Sequence, residues 1–102
     1  MTTLLHVEYP YPGPFGEEMG RALRGLAESI ANEPGLIQKI WTENHETQEA
    51  GGVCVFETRE LAENYLAKYT ARLKMAGIVG VHGEFYEVNE KLTAITSPAR
   101  VS

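Results

Sequence analysis

Residues 36–56, LIQKIWTENHETQEAGGVCVF, decide the fold. From Leu36 to Glu43 the side chains alternate, with Ile37 and Trp41 on one face and Leu36 and Ile40 on the other. That is a strand with apolar groups on both sides, so both faces should meet protein. Asn44 to Gln48 is a polar turn, and Gly51 to Phe56 is a second, valine-rich strand. A turn that short joins antiparallel neighbours, so the two strands should form a hairpin.

Helical patterns flank the hairpin on both sides. Upstream, Phe15, Met19, Ala22, Leu23, Leu26 and Ile30 recur at spacings of three and four, which predicts one amphipathic helix from Phe15 to Asn32. Glu17 and Glu18 suit the positive end of its dipole, and Glu33-Pro34-Gly35 stops it. Downstream, Thr58 can cap a helix whose stripe is Ala62, Tyr65, Leu66, Tyr69, Leu73 and Ala76, with Gly77 as its terminator.

Further out lie two more strands. Thr3 to Tyr11 places Leu5, Val7 and Tyr9 on one face before Pro10-Tyr11-Pro12-Gly13-Pro14 ends it, and Ile78 to Val88 forms the last strand. Residues 89–102 make a tail of mixed character that either packs on a neighbour or stays loose. The order strand–helix–strand–strand–helix–strand over a single domain, residues 1–102, is the split βαβ arrangement of an α+β, ferredoxin-like fold with an antiparallel sheet. Two helices cover one face of such a sheet. The other face, carrying Leu4 and Leu36 or Ile37, calls for a partner, and a second copy packed sheet to sheet would make a homodimer.

Composition narrows the function. With 9 Lys+Arg against 14 Asp+Glu in 102 residues the net charge is −5, which disfavours nucleic acid held on a broad basic face. Cys54 is the single cysteine, so neither an intrachain disulfide nor a thiolate zinc cluster can form. No apolar run approaches a membrane span, and no basic-then-apolar leader opens the chain, so the expectation is a cytoplasmic protein with no membrane partner.

Several segments together carry a family resemblance: Gly13-Pro14-Phe15-Gly16, residues 26–30 (LAESI), Glu33-Pro34-Gly35, residues 39–43 (KIWTE), Glu49-Ala50-Gly51-Gly52, residues 70–74 (TARLK) and Val88-Asn89-Glu90. In this order the chain resembles the YdhR-type monooxygenase family of the dimeric α/β-barrel superfamily. The resemblance implies a homodimer and a small aromatic substrate. It also implies oxidation of a hydroxylated aromatic or quinol-like molecule without flavin, haem or metal. In such chemistry the deprotonated phenol itself supplies electrons to oxygen, and the protein must favour the anion and exclude water. The alternative is a non-catalytic module that holds a hydrophobic aromatic metabolite in the same cleft.

The candidate site follows from aromatic placement. Trp41, the only tryptophan, can stack on a flat ring and offer one N–H, or it can simply fill the core or a dimer interface. Its resemblance to a strand tryptophan used by the superfamily's monooxygenases makes it the first candidate. Tyr65 and Tyr69 stand one helical turn apart on the sheet-facing stripe and could line a cleft with Trp41, or pack as core. Arg72 flanks the same stripe and is the expected catalytic cation beside a phenolate; solvent or a carboxylate would otherwise claim it. His6 with Glu8, and His82 with Glu84, form a polar patch on neighbouring strands with no metal-binding pattern. His45 belongs to the polar turn, and Cys54 behaves as a small buried hydrophobe.

Overall fold

The structure, a computed structural model, describes residues 2–97. The last five residues of the expected tail lie outside the described residues. The elements run β1 (Thr3–Pro10), α1 (Gly16–Ala22), α2 (Arg24–Ile30), β2 (Leu36–Asn44), β3 (Glu49–Phe56), α3 (Arg59–Met75), β4 (His82–Glu87) and α4 (Glu90–Thr96). The strands form one sheet in the order β2-β3-β1-β4, with every neighbouring pair antiparallel. This is the ferredoxin-like α+β arrangement expected from the element order.

The period of two in β1 sets the two faces. Leu5, Val7 and Tyr9 are buried and meet Cys54, Phe56 and Ala50 of β3, with Met19, Ile30, Ala62, Tyr65, Tyr69 and Leu73 supplied by the helices. Thr58 caps α3 through its Oγ, which accepts from the Leu61 N–H at 3.2 Å. At the other end Gly77 adopts φ 86°, and the Ile78 N–H returns to the Leu73 carbonyl at 2.8 Å. That 6→1 closure needs a left-handed residue, which glycine adopts without a Cβ clash.

Three local expectations require correction. The single helix over 15–32 is two, divided at Leu23, whose ψ of 8° leaves the helical region. Glycines at 20 and 25 weaken helix propensity on both sides of the break, while the apolar stripe continues through it and so conceals it. In β2 a bulge between Leu36 and Gln38 shifts the alternation by one. Leu36 therefore shares the core side with Trp41, and Ile37 is left 56% exposed. The last strand begins at His82 rather than Ile78, because Gly80 at φ 81° interrupts the extended backbone. The start of the expected tail is the helix α4, capped by Asn89 Oδ1 on the Leu92 N–H at 3.1 Å.

The helix-free face of the sheet is read directly from the register. One row runs Tyr86–Leu4–Val55, the next Glu84–His6–Val53–Ile40, and the next His82–Glu8–Gly51–Thr42. Ile40 and Tyr86 are each about half exposed there. Among the described residues no helix is long and apolar enough to cross a membrane.

Candidate active site

The β2 bulge puts Lys39, Trp41 and Glu43 together on the helix-facing side of an edge strand, opposite Cys54, Gly52 and Ala50 of β3. Gly52 matters here. A Cβ at that position would come within 2.9 Å of the Ile40 carbonyl and 3.0 Å of Lys39 Cε, so only glycine leaves the lysine stem its path across the sheet.

Beside Trp41 lies a pocket of about 200 Å³ between α1, α2 and β2. Met19, Leu23 and Ala27 form its helical wall, Trp41 its sheet wall, and Glu43 its polar rim, with Gly16 and Gly20 at its mouth. A Cβ built on either glycine meets nothing within 4 Å, so the mouth is open. The Glu43 carboxylate is fixed by the Gly16 N–H, at 3.0 Å to Oε1 and 3.3 Å to Oε2.

Behind Trp41 is a compact polar cluster. Lys39 Nζ donates to the Tyr65 hydroxyl at 2.9 Å and lies 3.9 Å from the centre of the Trp41 ring and 4.3 Å from that of Tyr69. The Tyr65 and Tyr69 rings stack with centroids 5.4 Å apart, and the Tyr69 and Tyr9 hydroxyls share a hydrogen bond of 3.1 Å. Burial lowers the Lys39 ammonium to a pKa of about 8, against a small opposing effect of the Cys54 thiol. Burial likewise pushes the Tyr65, Tyr69 and Tyr9 hydroxyls and the Cys54 thiol up, so all four stay protonated at neutral pH.

The expected site residues divide accordingly. Trp41 lines the pocket. Tyr65 and Tyr69 do not: at 2% and 1% exposure they are core, and they touch the site only through Lys39. Arg72 is elsewhere, its Nη2 donating to Ser29 Oγ at 2.9 Å on the exposed side of α3. Arg72 immediately precedes the buried Leu73, so it points about 100° around the helix from the sheet-facing stripe, and solvent and α2 take it. His6 and His82 each reach the glutamate two residues along their own strand, at 3.9 Å and 3.0 Å, on the opposite face of the sheet. Among the described residues no cluster of three or more His, Cys, Asp or Glu side chains could hold a metal. His45 is exposed and rests against Phe15, with ring centres 5.0 Å apart. Lys39 and Glu43 went unassigned in the sequence. The available signal was their alternation with Trp41, which places all three on one face of a strand.

Solved structures share this fold. A protein from Shewanella oneidensis, SO0527, superposes with a TM-score of 0.59 at 15% identity, covering 83% of this chain and 88% of the other. A structure from Deinococcus radiodurans, described as a putative antibiotic biosynthesis monooxygenase, gives 0.56 at 13% identity, covering 87% and 93%. The fold is thus that of a small α+β domain also found in a protein described as a monooxygenase. The chain itself belongs to the family described as "Putative mono-oxygenase ydhR", whose model matches residues 4–99. No curated protein matches the chain. Membership of that family supports a monooxygenase-like function.

Proposed function

We propose that the protein is a cofactor-independent monooxygenase that oxidises a hydroxylated aromatic or quinol-like small molecule in the pocket beside Trp41. The observation that carries this reading is the single tryptophan forming one wall of an apolar pocket whose other wall is helical. A flat ring stacks on the indole at little rotamer cost. In the reaction the phenol O–H is broken first, and the phenolate ring carbon then gives electrons to oxygen. One oxygen atom replaces the ring C–H hydrogen as a carbonyl, and the other leaves as water. The chain's part is to bind the ring, hold the anion and keep bulk water from the reacting carbon. Arg72 is left out of this reading, since its guanidinium is engaged by Ser29.

The working unit in this proposal is a homodimer paired through the helix-free sheet face. Its support is the apolar row of Tyr86, Leu4 and Val55, with Ile40 and Val53 beside it. Leu92 and Ile95 of α4, three residues apart, are also exposed apolar groups.

Oxygen uptake with a panel of polyphenols, with no flavin or metal added, tests the enzyme. Consumption of oxygen with quinone formation supports it. Saturable quenching of Trp41 emission without oxygen uptake instead identifies the second reading, a module that binds an aromatic metabolite.

A further inference from the structure

We propose that Lys39 is the specificity-determining residue of the pocket: its ammonium, seated against Trp41, makes the site select aromatic anions over neutral rings of the same shape. This rests on the reading of the Trp41 pocket as the ligand site. Lys39 is half-buried, yet none of the ion pairs among the described residues includes it. Among the described residues its hydrogen-bond acceptor is the neutral Tyr65 hydroxyl, and the rings of Trp41 and Tyr69 flank it. A cation placed in this way is poorly compensated, and a negative group on the ligand supplies the missing charge.

The strand gives the site a polarity. Lys39 and Glu43 flank Trp41 at two residues on either side, roughly 13 Å apart along β2. The carboxylate end is fixed by the Gly16 N–H. Lys39 lies behind Trp41 rather than in the pocket lining, so its charge acts across the indole on a ring stacked there, favouring an anionic end on the Lys39 side and any hydroxyl toward Glu43, which accepts a hydrogen bond. The ligand class is an aromatic carboxylate or phenolate, preferably with a hydroxyl at the far end.

The groups packed around Lys39 leave it alone in the relevant pH window. Cys54 on β3, Tyr65 and Tyr69 on α3 and, through Tyr69, Tyr9 on β1 are all held protonated by burial. Glu33, whose charge reaches Tyr65, is paired with Lys68 at 2.7 Å. Between pH 7 and 9 the charge of this cluster is that of Lys39, which titrates at about 8.

Calorimetric titration with 2-naphthoate and the near-isosteric neutral 2-naphthamide tests the proposal. At pH 6.5 the wild-type protein should bind the naphthoate about tenfold or more tightly than the amide, as a unit charge one ring away requires at an effective dielectric of about 20. The preference should fall toward parity by pH 9, vanish in Lys39→Met and persist in Lys39→Arg. If both probes bind equally to the wild type at pH 6.5, or if Lys39→Met keeps the preference, the inference fails while the pocket stands. If neither probe binds, the pocket reading fails and takes the inference with it. Should Lys39→Met not fold, the wild-type pH series decides alone: a preference unchanged from pH 6.5 to 9 overturns the proposal.

Discussion

Lys39 Nζ lies 3.9 Å from the centre of the Trp41 ring, on the same side of the sheet and two residues along the same strand. The one tryptophan and this half-buried lysine of depressed pKa are thereby a single unit, and most of what the site can do follows from that pairing.

Stability should depend on pH through Lys39. Its folded pKa of about 8 is below its ordinary value of 10.5, so the unfolded chain binds more protons between those values. Stability therefore rises with pH above about 8, by up to roughly 1 kcal/mol per pH unit. Cys54, raised from 9.0, and the buried tyrosines, raised from 10.0, act in the opposite sense at higher pH. Urea unfolding from pH 7 to 9.5 should show an increase near pH 8–9 that is absent in Lys39→Met. A flat wild-type curve would mean that the ammonium is well solvated.

Gly20→Leu separates folding from binding. The position is open and lies in α1, so the change should raise stability by about 0.5–1 kcal/mol through helix propensity alone. The new side chain occupies the mouth of the pocket and should abolish ligand binding. Unchanged affinity for 2-naphthoate would place the site elsewhere.

Trp41→Phe and Arg72→Met should differ in kind. Loss of the indole removes stacking area and a cation–π contact, which should weaken aromatic ligands by about 1 kcal/mol, or fivefold. Arg72→Met removes an exposed hydrogen bond to Ser29 and should change neither affinity nor turnover, with stability within about 0.5 kcal/mol. A large loss of turnover in Arg72→Met, with the fold intact, would restore that arginine to the site.

The proposed dimer is tested at Ile40. The side chain is 51% exposed in one copy, so Ile40→Glu should leave the isolated fold intact. Buried against a second sheet, the unpaired carboxylate would be costly, and light scattering should report dimer for the wild type and monomer for the variant. A wild-type mass of 11.3 kDa at micromolar concentration would refute the pairing.

Local patterns in the sequence determined the four strands and their place between helical segments, the core face of β1, the α3 stripe, its Thr58 cap and its Gly77 stop, because each depends on near neighbours. Trp41 was legible as a candidate for a similar reason: it is the only large indole, it sits within a strand, and in the structure it lines the pocket beside α1 and α2. Tertiary structure decided the rest. The bulge after Leu36 reset the alternation of β2, an event that depends on pairing with β3 and leaves no mark in a count of period two. That reset set Leu36, rather than Ile37, on the core side with Trp41. Lys39 alternates with Trp41, but its burial required Gly52 beneath it and the tyrosines of α3 above it, more than twenty residues away. Arg72 shows the converse: one residue off the buried Leu73, it turns away from the expected cleft and reaches Ser29. A side chain's charge is written in the sequence, whereas its solvation, and therefore its pKa and its task, is set by which distant segments close over it.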